Sequence, residues 1–164
     1  MNWRTLLLIL FFIGKGVQAA PSSQTFMATV IGIKDGDTIE VLKDKEVIVV
    51  RLADIDCPEK SQPFGKAAKK FCADVCFRKE VRVVSNGKTD RNKRLIATVY
   101  VAGKSLNETL VRQGYAWHFK KYSDSKPIAD MELEARRKRV GLWADSHPVP
   151  PWVWRKGKAA NSIR

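Results

Sequence analysis

Three short β-rich runs follow one another near the N-terminus, and they constrain the fold more than any other feature of the sequence. They span Thr25–Ile33, Thr38–Lys43 and Val47–Leu52. Polar segments separate them, including the turn "KDKE" at Lys43–Glu46. Short β runs joined by polar turns are typical of antiparallel strands that follow one another in space. The sequence therefore predicts a three-stranded meander.

The rest of the chain predicts two more strands and three helices. Pro58 and Pro63 interrupt the chain before the first helix, and Ser105 and Glu108 have the spacing of a capping box, with Gly114 ending that second helix. The predicted helices are Phe64–Phe77, Ser105–Gln113 and Pro127–Val140, and the predicted strands are Glu80–Ser85 and Leu95–Val101. This order predicts an α+β fold, a five-stranded OB-fold-like Greek-key β-barrel with about three helices. Other five-stranded α+β layouts fit the pattern nearly as well.

The first 19 residues have the pattern of a secretory signal peptide. Arg4 precedes an apolar run, Leu6–Ile13, and Val17 and Ala19 stand where a signal peptidase reads small residues. The alternative is an uncleaved anchor, but the run is shorter than the roughly 20 apolar residues that span a bilayer. We expect cleavage after Ala19 and a periplasmic or secreted product without stable membrane association.

The expected mature chain divides into a domain and a tail. We predict one domain over residues 25–145, followed by a Pro-, Trp- and basic-rich tail over 146–164 that is loosely packed or extended. Without residues 1–19 the chain has 28 basic and 17 acidic residues, a net charge of +11. Solubility alone asks for a magnitude of ~2–8 in a small domain. The excess indicates a polyanionic partner such as nucleic acid.

The three cysteines, Cys57, Cys72 and Cys76, are an odd number for an exported protein, so at least one has no partner within the chain. Cys72 and Cys76 are four residues apart on a predicted helix, where Cβ atoms are ~5–6 Å apart. A disulfide needs about 3.5–4.5 Å. We therefore expect buried thiols.

Acidic residues cluster around the second and third strands. In "IKDGDTIEV", Asp37 directly precedes strand two, and in "RLADIDCPE", Asp56 and Glu59 follow strand three, which contains Arg51. Because strands two and three should pair, these side chains can converge. Taken alone, each acid is better explained as a turn residue or a solvated charge. Together they indicate a site for a hard cation, Ca²⁺ or Mg²⁺, and an arginine beside it indicates a phosphate substrate.

Four motifs occur together in this chain, "DGDT", "RLADIDCPE", "DRNKR" and "LNETLVRQGYAW". Together they resemble the staphylococcal nuclease family (thermonucleases), and the resemblance runs from about Thr25 to Trp143. The resemblance implies an OB-fold phosphodiesterase that uses Ca²⁺, acts on DNA and RNA, and cuts the 5′ P–O bond to leave a 3′-phosphate. The metal ligands it implies are Asp37, Asp56 and the backbone carbonyl of Cys57, with Asp35 supporting the metal from outside. It implies that Glu59 is the general base or the holder of the attacking water, and that Arg51 and Arg94 bind phosphate.

Two positions depart from the family pattern. Cys57 stands where the family often has threonine, which matters little if the ligand is a main-chain oxygen. Lys93 stands where the family usually has glycine, just before Arg94. If that glycine has a positive φ, either Lys93 adopts it at a cost or Asn92 takes the left-handed conformation instead. The reach of Arg94 depends on this loop, and Arg91 is its possible substitute.

"AWHFKKYS", Ala116–Ser123, mixes aromatic and basic residues as nucleic-acid-binding segments do. We expect Trp117 and Phe119 in the core, His118 in a structural role, and Lys120 and Tyr122 as nucleic-acid contacts.

The leading hypothesis is a monomeric, exported nuclease that cuts DNA and RNA irrespective of the sugar. One alternative is a non-catalytic OB-fold module that binds nucleic acid, which would need only the basic surface. Another is a cationic protein that acts on membranes or cell-wall polymers. Such targets are anionic, and converging carboxylates would repel them.

Overall fold

The computed structural model describes residues 23–161. The expected signal peptide, residues 1–19, lies outside the described residues, so its cleavage stays a prediction. No helix among the described residues is long and apolar enough to cross a bilayer.

The described chain contains eight strands, four α-helices and one 3₁₀ helix. In chain order they are β1 (Gln24–Asp35), β2 (Thr38–Lys43), β3 (Glu46–Leu52), β4 (Ile55–Asp56), α1 (Gly65–Cys76), β5 (Glu80–Thr89), β6 (Leu95–Val101), β7 (Lys104–Ser105), α2 (Leu106–Arg112), β8 (Trp117–His118), α3 (Lys126–Arg137), the 3₁₀ helix (Gly141–Ala144) and α4 (Pro151–Asn161).

The five long strands close into a barrel. Their order is β3-β2-β1-β5-β6, and the neighbours in that order are antiparallel. A parallel pairing of β3 with β6, from Val50 opposite Leu95 to Leu52 opposite Ala97, joins the two ends. Closure removes the free sheet edges. This confirms the predicted OB-fold-like barrel over the other five-stranded layouts.

Alternating apolar residues of the five strands fill the barrel. Several are fully buried, namely Val30, Ile39, Val41, Val50, Val81, Val83 and Val99. Helix α2 adds Leu106, Leu110 and Val111, all fully buried. The Ser105 hydroxyl accepts a hydrogen bond from the Glu108 backbone N–H at 3.2 Å, and Gly114 ends the turn with φ +69°. The local capping signals therefore gave the position of this helix correctly.

The predicted buried thiols are confirmed. Cys57, Cys72 and Cys76 are buried and unbridged, and the sulfurs of Cys72 and Cys76 are 3.9 Å apart. The Cys76 thiol donates to the carbonyl of Cys72 at 3.1 Å, which satisfies it within its own helix.

Two expectations about secondary structure are wrong. Strand β5 continues to Thr89, four residues past Ser85, because an irregularity in its pairing with β6 keeps the polar stretch in the sheet. The tail is also not loosely packed or extended, since residues from Pro151 form helix α4. Trp152 packs against the apolar cluster that contains Trp117, Leu142 and Trp143. This aromatic burial holds α4 on the domain, and the short apolar pattern of the tail did not indicate it.

Candidate active site at one end of the barrel

The acids and arginines singled out from the sequence meet where the β1–β2 turn lies beside the end of β3. Asp37 directly precedes Thr38, which pairs with Arg51 across the sheet. The backbone N–H of Leu52 donates to the carbonyl of Asp37 at 2.9 Å, which extends that pairing by one residue. Asp56 lies on the two-residue strand β4, which pairs with β8. Strand register therefore positions these residues.

Arg51 binds two carboxylates at once. Its Nη2 lies 2.8 Å from Oδ1 of Asp56 and 3.3 Å from Oδ2 of Asp37, and its Nη1 donates to the carbonyl of Leu52 at 2.7 Å. The side chains of Arg51, Asp37 and Asp56 are only 12%, 8% and 3% exposed, respectively. Burial alone would lower the pKa of Arg51, but the two carboxylates outweigh it, so the net pKa is raised and the guanidinium stays charged.

Gly36 allows the close approach that holds Asp37 in place. A Cβ at position 36 would lie 2.9 Å from the Cys57 Cβ and 3.0 Å from the Ala68 Cβ, too close for any other residue. The backbone N–H of Cys57 then donates to Asp37 Oδ2 at 2.7 Å. Burial and the nearby Asp37 raise the pKa of the Cys57 thiol well above its usual value, so this thiol stays protonated.

Negative charge is concentrated here beyond what the arginines neutralise. Burial and the neighbouring Asp37 raise the pKa of Asp35. Burial also raises the pKa of Asp56, with Asp37 adding to the shift even though Arg51 and Arg155 oppose it. Raised carboxyl pKa values mean that further positive charge would stabilise the ionised cluster.

Glu59 lies on the loop between β4 and α1, which is braced from within. The side-chain oxygen of Gln62 accepts a hydrogen bond from the backbone N–H of Glu59 at 3.1 Å. The backbone N–H of Gln62 donates to the carbonyl of Glu59 at 2.8 Å. The Gly65 backbone lies against that same carbonyl, where a Cβ would overlap it. The loop therefore presents the Glu59 carboxylate in a defined place.

Arg155 of α4 enters the cluster, and the sequence analysis missed it. Its Nη1 lies 2.6 Å from Oε1 of Glu59, and its Nη2 lies 2.7 Å from Oδ2 of Asp56. Burial opposes the charged form, but these two hydrogen bonds outweigh it and raise the pKa of Arg155. Pro151 at the start of α4 is a helix-start signal that could have revealed the helix. No local signal places its arginine beside Asp56.

Arg94 reaches the site through Thr38. Its Nη1 donates to the Thr38 hydroxyl at 3.1 Å, and that hydroxyl donates to Asp37 Oδ1 at 3.0 Å. Asp90 holds the guanidinium from the other side, 2.8 Å from Nε and 2.6 Å from Nη2. Arg94, rather than Arg91, therefore makes these contacts.

In the loop before Arg94, Lys93 itself adopts the positive φ at the position where the family usually has glycine. Lys93 has φ +59°, in the left-handed region, and Asn92 is not among the residues with positive φ. The Asn92 alternative is therefore wrong. Asp90 stabilises the turn because its Oδ1 accepts from the N–H groups of Asn92 and Arg94 at 2.9 and 3.0 Å.

The aromatic-basic segment lies beside the site. Phe119 donates from its backbone N–H to Asp54 at 2.8 Å, just after β8 pairs with β4. Trp117 is buried as expected, and His118 is buried with its Nε2 3.1 Å from the Ser123 hydroxyl, consistent with a structural role. Lys120 and Tyr122 are exposed, with 71% of Tyr122 open to solvent. Both can therefore contact a ligand.

The donor atoms suit a hard divalent cation. Asp37 and Asp56 present carboxylate oxygens, which are the ligands Ca²⁺ prefers, and burial, with Asp37 adding to it, raises the pKa values of the neighbouring Asp35 and of Asp56. Among residues 23–161, no three His, Cys, Asp or Glu side chains are already gathered as a ligand set. Guanidinium groups of Arg51 and Arg155 bond both oxygens of Asp56. The residues fit such a cation once one arginine yields.

Comparison with known proteins connects this geometry to a family. Residues 49–145 match the family described as "Staphylococcal nuclease homologue". The match begins inside β3, so the β1–β2 turn with Asp37 precedes it.

Similarity to individual proteins extends over more of the chain. A Haemophilus influenzae protein named "Uncharacterized endonuclease" is 40% identical over 158 residues, 96% of this chain and 86% of that protein. A Shigella flexneri "Micrococcal nuclease" is 39% identical over 85% of this chain and 86% of its own length. The "Staphylococcal-like nuclease CAN1" of Arabidopsis thaliana is 40% identical over 66% of this chain and 33% of its own length. The bacterial similarities include the β1–β2 region that the family match leaves out.

Proposed function

The chain belongs to the staphylococcal nuclease family, and from that premise we propose that it is an exported Ca²⁺-dependent nuclease that hydrolyses phosphodiester bonds of DNA and RNA. The observation that carries the proposal is the convergence of Asp37, Asp56 and Glu59 with two buried or half-buried arginines. A module that only bound nucleic acid would have no need for buried carboxylates at its anionic ligand's site. Relatives named as endonuclease and micrococcal nuclease support the same chemistry.

The metal would be held by Asp37 and Asp56, with Asp35 adding negative charge nearby and the Cys57 carbonyl implied by family resemblance as a further ligand. When bound, Ca²⁺ supplies positive charge that polarises a phosphate and neutralises charge that develops on its oxygens. Because the cluster is largely buried, such electrostatic effects are stronger than they would be in water.

The arginines stabilise the charge on the reacting phosphate. Arg51 is fixed by the Leu52 carbonyl and Asp56, and Arg94 is fixed by Asp90 and Thr38. Donors held in place need no reorganisation when charge develops on the equatorial oxygens, which lowers the barrier. Removal of one such donor costs about 10²–10³ in turnover in other enzymes.

Glu59 is the group that can take a proton from the attacking water. Its carboxylate is one-third exposed at the mouth of the cluster, and Gln62 and Gly65 fix its backbone. A carboxylate within reach of a bound water can act as general base or orient that water. Lys120 and Tyr122, exposed on the segment beside β4, are proposed to contact the sugar-phosphate chain and stack on a base.

The test is digestion of single- and double-stranded DNA and RNA by the protein from residue 20 onward, with Ca²⁺, with Mg²⁺ and with chelator. We expect Ca²⁺-dependent cutting that chelation abolishes. Asp37→Asn and Glu59→Gln should each lower kcat by at least about 100-fold, because each removes a charge of the reaction site without changing shape. Asp44→Asn and Glu46→Gln make the same changes at exposed turn positions and should cut normally.

Each other result has a distinct meaning. Tight binding of nucleic acid without cutting under any metal would identify a non-catalytic binding module. Normal turnover of Asp37→Asn or Glu59→Gln would remove that residue from the mechanism. Gel-filtration mass would test the expectation of a monomer. N-terminal sequencing of protein recovered outside the cytoplasm should begin at Ala20 if export with cleavage occurs, whereas an intact N-terminus would contradict it.

A further inference from the structure

Helix α4 is attached to the two segments that carry the site acids. The Trp152 ring stacks on Phe119 with centroids 5.5 Å apart and an interplanar angle of 9°, and it meets Trp117 edge-on at 5.7 Å. These residues belong to the segment that pairs with β4, which carries Asp56. The Gln62 side chain, which braces the Glu59 loop, also donates to the carbonyl of Val149 just before α4. Arg155 is therefore placed by a packed helix and not by a free tail.

The two arginines on Asp56 differ in how easily they can leave it. Arg51 bonds one oxygen, is 12% exposed, and is also tied to Asp37 and to the Leu52 carbonyl. Arg155 is 42% exposed; its Nη2 bonds Oδ2 of Asp56 at 2.7 Å, and its Nη1 bonds Glu59 at 2.6 Å and lies 3.4 Å from Oδ1 of Asp56. A guanidinium that leaves Asp56 is readily rehydrated where it is half exposed, as at Arg155, whereas Arg51 would stay buried without that partner. A cation that binds Asp56 would therefore displace Arg155 and leave Arg51 in place.

A displaced Arg155 would remain at the mouth of an open cleft. The cleft has a volume of about 1230 Å³ and lies between the Glu59 loop and α4. Lys60, Lys66 and Trp154 line it together with Arg155. Basic groups and an aromatic ring suit a nucleic-acid strand, and the planar guanidinium fork matches two phosphate oxygens.

We propose that Arg155 is a further phosphate-binding residue of the active site, which holds Asp56 and Glu59 in the metal-free protein and turns to the substrate phosphodiester when a divalent cation takes Asp56. The proposal rests on the proposed nuclease function. It gives Arg155 two measurable roles: it competes with the metal before substrate arrives, and it supports turnover afterwards.

The first measurement is Ca²⁺ binding without substrate, by calorimetry, on wild type, Arg155→Met and Lys156→Met. Both substitutions remove one positive charge from exposed positions of α4, but only Arg155 contacts the site acids. We expect Arg155→Met to bind Ca²⁺ at least about threefold more tightly than Lys156→Met, because it removes the competitor as well as the charge. Equal affinities in the two variants would overturn the proposal.

The second measurement is kcat and KM at saturating Ca²⁺. We expect Arg155→Met to lower kcat/KM by about 10–100-fold, within the range for loss of a phosphate donor, and Lys156→Met to stay within about threefold of wild type. Arg155→Lys should fall between, because lysine keeps the charge but lacks the fork. Tighter Ca²⁺ binding with unchanged kcat/KM would overturn the phosphate role and leave Arg155 a competitor only.

Failure of the proposed function would look different. An inactive wild type would contradict the nuclease proposal, whereas an active wild type with Arg155→Met matching Lys156→Met would contradict this inference alone. Melting temperatures of all variants, measured with chelator, show whether a loss of turnover comes from loss of the fold.

Discussion

At position 93, a lysine occupies a backbone conformation that glycine adopts more readily. Its φ of +59° costs a residue with a Cβ roughly 1–2 kcal/mol. The turn nevertheless keeps Arg94 in contact with Thr38, because Asp90 holds both the backbone and the guanidinium. The departure from the family pattern is therefore accommodated at Lys93 itself, and Arg94 keeps its contact with Thr38.

We expect Lys93→Gly to be neutral or stabilising, by up to about 1 kcal/mol, and neutral or activating in nuclease assays. Glycine relieves the positive φ but makes the unfolded chain more flexible, so the two effects partly cancel. The control is Lys93→Ala, which removes the same charge and keeps the strain. Urea denaturation and kcat measurements of both variants test this. A large loss of activity in Lys93→Gly but not in Lys93→Ala would show that the loop needs the more restricted backbone of a residue with a Cβ.

Asp90 is expected to act as a positioning residue for Arg94. Burial would raise the pKa of Asp90, but hydrogen bonds from the Arg94 side chain and backbone outweigh it, so the net pKa lies below the ordinary 3.8. A lowered carboxyl pKa contributes stability above pH 3.8 that is lost as pH falls through the folded-state value. Asp90→Asn should therefore cost about 0.5–1.5 kcal/mol at pH 7 and progressively less as the medium becomes more acidic.

Denaturation of Asp90→Asn and wild type at pH 7 and at pH 3 measures that difference. Asparagine keeps the Oδ1 that accepts from the turn backbone, so the turn should survive and kcat should fall through loss of the Arg94 ion pair. A stability difference that did not shrink on acidification would contradict the ion-pair explanation.

At the scale of elements, two short strands and one helix position residues of the candidate site. They are β4, β8 and α4. Strand β4 is only two residues long, yet its pairing places Asp56 beside Trp117. The aromatic rings of Trp117, Phe119 and Trp152 then join β8 to α4. One aromatic cluster thus supports a metal-binding candidate on one side and Arg155 on the other.

Trp152→Ala should release α4 from this cluster. We expect a loss of about 1–3 kcal/mol in the free energy of unfolding, because a large, partly buried ring is removed. Since Arg155 would no longer be held at the site, kcat/KM should fall as far as in Arg155→Met. Val153→Ala, at an exposed position on the same helix, is the control. Full turnover of a destabilised Trp152→Ala would show that Arg155 reaches the site without α4 packing.

At the scale of the whole molecule, a strongly basic protein surrounds a locally acidic centre. The full sequence has a net charge of +13, whereas the site gathers Asp35, Asp37, Asp56 and Glu59. Under the proposed function, the overall field would attract a polyanion, and a cation at the acidic centre would let a phosphate approach closely. Substrate binding and reaction would then depend on different charges.

This separation predicts that salt acts on KM more than on kcat. Raising monovalent salt from 50 to 200 mM should increase KM for a DNA substrate at least about tenfold at saturating Ca²⁺, because each phosphate contact releases counterions. The buried cluster is screened much less, so kcat should change less than about threefold. Steady-state kinetics at the two salt concentrations tests this. A KM independent of salt would contradict a role for the basic surface in substrate binding.

The sequence alone determined the five long strands, the first three helices and most of the residues of the candidate site, and the parallel pairing of β3 with β6 decided that the strands close into a barrel. Strand periodicity, polar turns and helix caps are local signals, and they are enough to place Asp37, Arg51 and Asp56 on neighbouring segments. The tertiary structure decided the rest. It showed that Gly36 is needed for close packing against Cys57, that Thr38 links Arg94 to Asp37, and that Arg155 meets carboxylates 96 and 99 residues away. Such contacts depend on how the aromatic rings dock α4 onto the barrel, and no periodicity within the tail encodes that docking.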